Sequence, residues 1–594
     1  MRPPTPFPGG GFVVLSLLLI CLVPRPAAAQ PPAVSEHVEV RAVTIPLTVT
    51  DAEGRPIAGL ERDQIELLRD GEPVEVVALS PVAQPAPDPA GTSSRVFVLY
   101  LDTAFLDAAE ATALLPPLSR FLEEELPPAT RLYGLVADRA SVRPLHPPTA
   151  ARAEAVAALA EVTATPVPAL LAEAREIERD IERALGGRGR RVMTVRDAIP
   201  DQLLERISAL AQEVAAEVEA GGRRLQWALQ TVAGLPGSVD LLYVGGEPPV
   251  DLGATLHRRW LVALGPDSYY VAAGSADGDG AGLGTGRGEE GFSTGATSFS
   301  ALAAPGRALD TAAVLEPLVT RALLDGVRVH TLTVASAGAG GGGVRSASGG
   351  AVGPAGTATG PALTAGSGGG AGAELLRSLA RSTSGAALHS RGGVAEGLTS
   401  LATRLSGGYR LTFLDASAEP GTRHRLQARL PGAGSHVRLE HPEGYVALSL
   451  DQIAARAALS ALRLGLEDNP LEVEVRAAVG GAADQPVLEL AIEVPLARLA
   501  LATERRAHTG SISVFAATGG WESSSEVRKA VVPLRIAHQD LLIALGRRVE
   551  YGFPLPRPAG GDRLAVAVRD DLALVTSTVV VPLPPAANAR SGGP

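Results

Sequence analysis

Two rhythms of apolar and polar positions follow one another along the chain. In HVEVRAVTIPLTVTDAEGRPIAGL and IELLRDGEPVEVVAL the apolar residues fall at alternate positions, and the runs turn at Asp51–Gly54 and Asp70–Gly71. That pattern predicts hairpins in a small β module over residues 37–80. From Arg95 the rhythm changes. VFVLYL, RLYGLVA, VDLLYVGG and VRVHTLTVA are short, nearly continuous apolar runs separated by helical stretches such as ALDTAAVLEPLVTRALLDG. Strands that alternate with helices predict a parallel sheet covered on both faces. The first of these strands ends in Asp102, just where open α/β sheets place their ligand sites.

Two longer helical patterns interrupt the series. Leu170, Ala174, Ile177, Ile181 and Leu185 form one apolar stripe, and Leu203, Ile207, Leu210, Val214 and Val218 form another. With the helix-breaking GGRGRR between them, they predict an antiparallel helical hairpin inserted over about residues 150–235. Gly-rich stretches at about 273–297 and 336–373 have too little apolar content to offset the entropy of ordering and are expected to be flexible loops. LEVEVRA, VLELAIEVPL, GSISVFAA, AVVPLRIA, RRVEYGF and DRLAVAVRD return to alternation, predicting a C-terminal β-sandwich over 455–585 with one buried face per sheet. The expected organisation is multi-domain, α/β plus β. It comprises a β module (37–80), an α/β domain with the helical insertion (95–415), a closing β-hairpin (416–450) and the sandwich.

Composition narrows the function. The 594 residues carry a net charge of -11, which argues against a nucleic-acid partner held by phosphate neutralisation. The N-terminus has Arg2, an apolar run from Phe12 to Val23 and Ala27-Ala28-Ala29 before Gln30. This is the layout of a signal peptide over residues 1–29, so the chain is expected to be exported, to the periplasm or beyond the cell. No later segment is long and apolar enough to span a bilayer. The single cysteine, Cys21, falls inside the leader, which leaves the mature chain without a disulfide, a zinc–thiolate site or a cysteine nucleophile.

Enzyme signals are sparse. Gly291-Phe292-Ser293-Thr294-Gly295 matches G-x-S-x-G but has no strand before it, so a secreted serine hydrolase using Ser293 is only an alternative reading. GLGTGRG at Gly282–Gly288 lacks strand–turn–helix context, and Lys529, the sole lysine, follows no glycine-rich loop. His424, His436 and His441 have no metal-ligand spacing and read as exposed hairpin histidines. The turn DAEG lacks the repeated oxygen ligands of a calcium loop. No constellation favours catalysis.

The order of these parts resembles a group of secreted bacterial proteins described as VWFA-related, of the acidobacterial type. The likeness is carried by VTIPLTVTDAEGRPIAGLERDQIELLRDGEPVEVVAL, VFVLYLDTA, ALQTVAGLPGSVDLLYVGG, LLDGVRVHTLTVAS, the segment ELLRSLARSTSGAALHSRGGVAEGLTSLATRLSGGYRLTFL and RLAVAVRDDLALVTSTVVVPLPP. The resemblance implies a VWFA-like Rossmannoid sheet. In metal-binding members the first strand ends in D-x-S-x-S, and hard oxygens from three loops hold magnesium. Here the first loop reads Asp102-Thr103-Ala104-Phe105-Leu106, so Ala104 and Leu106 replace both serines. The third loop reads Val244-Gly245-Gly246-Glu247, which puts an acid one position late, and Thr194 is the nearest candidate on the second loop. Asp102 and Thr103 are therefore the remnants of a degenerate metal site, and Asp102 is expected to cap the helix that follows. The reading is an exported, non-enzymatic protein that works by protein–protein interaction or adhesion, with no cofactor and an unidentified protein partner. A metal-dependent adhesion protein with a nonstandard magnesium site at Asp102 is the alternative.

Overall fold

The computed structural model describes residues 41–82, 95–127, 130–162, 169–186, 199–235, 238–264, 309–334, 370–390, 393–415, 419–432, 434, 437–482, 485–556 and 561–583. The predicted leader, the first Gly-rich stretch and most of the second lie outside them. The last residues of the second stretch are not loop, because Ala371–Ala373 open a helix.

The N-terminal strands are β1 (Arg41–Thr50), β2 (Glu66–Arg69), β3 (Glu72–Val74) and β4 (Val76–Pro81). The α/β domain follows. It runs β5 (Arg95–Asp102), α1 (Ala108–Arg120), β6 (Thr130–Ala137), β7 (Val142–Thr149), α2 (Arg152–Ala160), α3 (Ala169–Gly186), α4 (Ile199–Val232), β8 (Ser238–Gly246) and α5 (Leu252–Leu264). It continues with α6 (Thr311–Asp325), β9 (Val327–Val334), α7 (Ala371–Ser382), β10 (Ala387–Ser390) and α8 (Val394–Ser406).

The six strands order as β10-β9-β8-β5-β6-β7. All are parallel except β7, which runs antiparallel to β6. The chain adds strands outward from β5 in one direction, then returns to β8 and adds them in the other, which is the doubly wound order. Because strand side chains alternate, Phe97, Leu99 and Leu101 face α1, α2 and α8, whereas Val96, Val98 and Tyr100 face α4, α6 and α7. Both faces are buried, as the continuous apolar runs require.

Helix α4 serves two cores. Its first half, from Leu203 to Val218, packs with α3, and its second half, from Leu225 to Val232, lies on the sheet. Gly222 sits between the halves, where a Cβ would stand 3.0 Å from Val314 Cγ1 of α6. The absent side chain permits that approach.

At the amino ends of the strands lies a buried ionic cluster. Arg328 Nε donates to Asp240 Oδ1 at 2.5 Å, Arg95 Nε lies 3.3 Å from Asp240 Oδ2, and Arg328 Nη1 reaches Thr48 Oγ1 of β1 at 3.3 Å. Ala386 N donates to His330 Nδ1 at 2.9 Å, which leaves Nε2 to carry the proton toward Asp240 Oδ1 at 3.3 Å. Burial acts to raise the Asp240 pKa, but Arg328, His330 and Arg95 outweigh it and hold the carboxyl well below the usual range. Burial pushes His330 down to about 4.

The chain then returns to the N-terminal strands with β11 (Gly408–Asp415), β12 (Arg423–Arg429), β13 (Arg438–Glu440) and β14 (Gly444–Val446). Strand 408–415, expected at the end of the α/β domain, is hydrogen-bonded between β1 and β4, in a sheet of order β13-β1-β11-β4. The segment expected as a separate closing hairpin completes both N-terminal sheets instead, the second having the order β14-β12-β2-β3. Ile45, Leu47, Leu67, Leu411, Phe413, Leu426 and Tyr445 form their shared core. The α/β domain is thus an insertion between two halves of one β module, and long-range strand pairing of this kind leaves no local sequence signal.

The C-terminal part contains α9 (Leu450–Leu464), β15 (Glu474–Ala482), β16 (Gln485–Pro495), β17 (Ala502–Thr503), β18 (Ala507–Gly519), β19 (Arg528–Ala537), α10 (Leu541–Leu545), β20 (Arg548–Pro556), β21 (Arg563–Asp570) and β22 (Thr576–Pro582). Sheet β15-β16-β20 packs on the sheet built around β17-β18-β21-β22, with β19 paired to β18. The expectation of one buried face per sheet fails for the second sheet. Its other face, through Phe515, Ala517, Ala565 and Ala567, packs against Ala454, Ala458, Ala461 and Leu462 of α9. Small residues on both sides let the helix lie close. Trp521 Nε1 donates to the Val142 carbonyl at 2.9 Å, fastening this part to the α/β domain.

Candidate functional site

A doubly wound sheet opens a crevice outside the carboxyl ends of its strands, at the point where strand order reverses. Here that point lies between β5 and β8, whose ends pair Asp102 with Gly245. Asp102 is 4% exposed. Its Oδ1 accepts from Ala104 N at 3.0 Å, and its Oδ2 accepts from the Tyr243 hydroxyl at 3.0 Å. The Tyr243 ring stacks on Tyr100, its register partner on β5, with centroids 5.8 Å apart. Burial raises the Asp102 pKa. The Ala104 amide, the charge of Arg224 and the Tyr243 hydroxyl act in the opposite direction, and Glu217 adds to the rise. Burial likewise raises the pKa of Tyr243, with the charge of Asp102 adding to it.

Asp102 does not cap the next helix. The cap is Asp107, whose Oδ1 accepts from Glu110 N at 2.9 Å while Glu110 Oε2 accepts from Asp107 N at 3.0 Å. The loop between Asp102 and Asp107 is long enough to separate the strand end from the helix start, so the aspartate adjoining the helix takes that role. Thr103 turns away from Asp102. Its amide and its hydroxyl both donate to the Ala137 carbonyl of β6 at 2.9 Å.

Ala104 and Leu106, where the resemblance led serines to be expected, are core positions. Ala104 and Phe105 pack among Leu170, Ile177, Ile207 and Trp260, beneath the α3–α4 insertion and α5, while Leu106 joins the core on the α1 face. A Cβ at Gly246 would lie 2.0 Å from the Phe105 carbonyl oxygen, so the two loops touch backbone to backbone. An acidic side chain has no room there. Glu247, one position later, accepts from Ala373 N at 3.3 Å, at the start of α7. Thr194 lies outside the described residues. The described residues at the switch point do not fit a magnesium site, because one buried carboxylate with both oxygens engaged supplies too few of the oxygens that the ion requires.

The positive charge that acts on Asp102 comes from Arg224 of α4. Its Nη2 donates to Glu217 Oε1 at 2.7 Å and its Nη1 to the Arg139 carbonyl at 3.2 Å, while Arg139 Nε donates to Glu217 Oε2 at 3.1 Å. Sequence reasoning missed Arg224, Glu217 and Tyr243. The one available signal was a tyrosine in each of the two central strands, Tyr100 two positions before Asp102 and so on its face. The link to α4 has no counterpart in sequence spacing.

The hairpin histidines do not converge. His424 Nδ1 lies 2.7 Å from Asp70 Oδ2, and His441 accepts from Ala428 N at 3.1 Å through Nε2 while its Nδ1 faces the Pro442 carbonyl at 2.8 Å. Both are half-buried rather than exposed. His436, Ser293 and the glycines of GLGTGRG lie outside the described residues. Among the described residues no group of three or more His, Cys, Asp or Glu side chains could hold a metal ion, and no helix is long and apolar enough to cross a membrane.

No family model matches the chain, and no curated protein matches it. Among solved structures the chain is similar to the SpRpn10 VWA domain, with 10% identity over 29% of this chain and 83% of that chain, at a TM-score of 0.12. The fold is defined by the strand order and pairing above, and not by this likeness.

Proposed function

We propose that the chain is an exported, non-enzymatic, VWFA-like protein that works through protein–protein contacts without a bound metal. The observation that carries this reading is the closure of the switch point: the loop after β5 is buried beneath the helical insertion, and both Asp102 oxygens accept hydrogen bonds from the protein itself. Contacts with a partner then fall on other surfaces of the multi-sheet body. The step from fold to interaction is an analogy, and it is supported by the leader-like N-terminus and the modular build.

Calorimetric titration with magnesium and manganese tests the metal-free part, and crosslinking pull-down from an envelope fraction tests the interaction part. Metal binding that disappears in Asp102→Ala would overturn the first. An absence of any specifically crosslinked protein would overturn the second.

A further inference from the structure

We propose that the chain binds a small, uncharged aliphatic molecule in a cavity where its three parts meet. The cavity has a volume of about 420 Å³ and lies between β1, the carboxyl end of α6, the β14–α9 connection and the turn at 571–575. Ligand pockets have this size, and their walls are mostly apolar with a few polar groups. Val43, Ile45, Leu323, Val446, Leu448 and Leu450 supply much of this wall, and Ile453 and Leu574 stand 49% and 52% exposed at its rim. Leu574 is held at φ 58, a conformation that costs a non-glycine residue energy. The turn that holds it is pinned by Asp570, whose Oδ1 accepts from Leu572 N at 2.9 Å and Ala573 N at 3.1 Å, and whose carbonyl accepts from Leu574 N at 2.8 Å. An aliphatic side chain kept in strain and half in water, beside an aliphatic hollow, is poor for the empty protein and useful once a ligand covers it.

The charges on the wall set the class of ligand. They are Asp325, Arg328 and Asp415, all with buried side chains and all matched within the protein. Asp325 accepts from Arg321 Nε at 2.5 Å and lies 2.9 Å from Arg456 Nη1. Arg328 donates to Asp240, and Asp415 accepts from Arg69 and from the Tyr445 hydroxyl. A carboxylate or an ammonium group entering here would find each opposite charge already committed, and burying an ion without a partner is costly. The carboxyl end of α6, with its partial negative charge, further opposes an anion. The wall does offer neutral hydrogen-bonding groups. Successive residues of β1 from Ala42 to Pro46 line the cavity, and their side chains alternate between faces, so the strand presents its edge. One side of β1 is taken by β11, and on the other β13 pairs only with Thr48 to Thr50. The open edge suits a single hydroxyl or amide on an otherwise aliphatic molecule.

The test is calorimetric titration of the full chain with octanol, octanoate and octylamine, which share a chain length and differ in charge. Octanol should bind, and the charged analogues should bind about tenfold more weakly or worse. The apolar run at residues 12–23 is a second place for an alcohol to partition, so the variants assign the site. Leu574→Gly should weaken octanol binding by roughly fivefold, as covering half of a leucine side chain predicts. The melting temperature of that variant should not fall, because glycine adopts φ 58 freely. Ile453→Asp, which sets a charge on the rim, should weaken binding by about tenfold. Leu542→Ser, exposed on α10 and not on the wall, should leave it unchanged. The proposal is overturned if the native chain does not bind octanol, or if octanoate or octylamine binds as tightly. It is also overturned if neither Leu574→Gly nor Ile453→Asp alters the affinity, because octanol would then sit elsewhere.

Discussion

The Tyr243 hydroxyl donates to Asp102 Oδ2 at 3.0 Å, from β8 to β5, across the junction where the sheet reverses its strand order. The bond occupies one oxygen of the only acid on the first loop and ties the two central strands together at the end where a ligand would enter.

Tyr243→Phe should therefore cost about 1–3 kcal/mol in urea unfolding at neutral pH, because it leaves a buried carboxyl oxygen without its donor. The same change should raise the Asp102 pKa further, since the lost hydrogen bond favoured the ionised form. Infrared detection of the protonated carboxyl, with Asp102→Asn as the reference, checks the direction.

Installing a D-x-S-x-S loop and a facing acid by Ala104→Ser, Leu106→Ser and Gly246→Asp should fail to create magnesium affinity and should destabilise the fold. Gly246→Ala alone tests the reason, because its Cβ would sit 2.0 Å from the Phe105 carbonyl oxygen. Backbone must move to admit it, at about 1–3 kcal/mol. A stable Gly246→Ala protein with an unchanged melting temperature would show that the two loops are not in contact.

Arg224→Met should destabilise by about 3–5 kcal/mol, leaving Glu217 buried with only Arg139 to pair it. Adding Glu217→Gln should recover part of the loss. A double-mutant cycle in which the two changes simply add would mean that they are not coupled.

Stability should fall on mild acidification through His330. Its folded pKa, about 4, lies below its ordinary value, so the native state refuses a proton that the unfolded chain accepts. The contribution is complete above about pH 6.5 and is lost as the pH drops toward 4, amounting to on the order of 3 kcal/mol. Comparing the pH dependence of unfolding for the native chain and His330→Gln isolates it, and parallel curves between pH 7 and 4 would refute the assignment.

Periodicity alone determined many of the local elements, though not α9 (Leu450–Leu464), which occupies the start of the segment read as sandwich. The continuous apolar runs at β5, β6, β8 and β9 marked strands buried on both faces, and the stripes from Leu170 and Leu203 marked two helices, because side-chain direction repeats with a fixed period along any regular element. The absence of hydroxyl ligands at Ala104 and Leu106 after Asp102 was also legible, since ligand chemistry resides in residue type. What covers an element was not legible, because burial depends on parts distant in sequence. Only the tertiary structure placed Gly408–Asp415 between β1 and β4, laid α9 on the second face of the C-terminal sheet, and brought Arg224 and the α3–α4 insertion over the end of β5. The sequence could state that the site lacked ligands, but its closure is a property of packing between segments that no local pattern encodes.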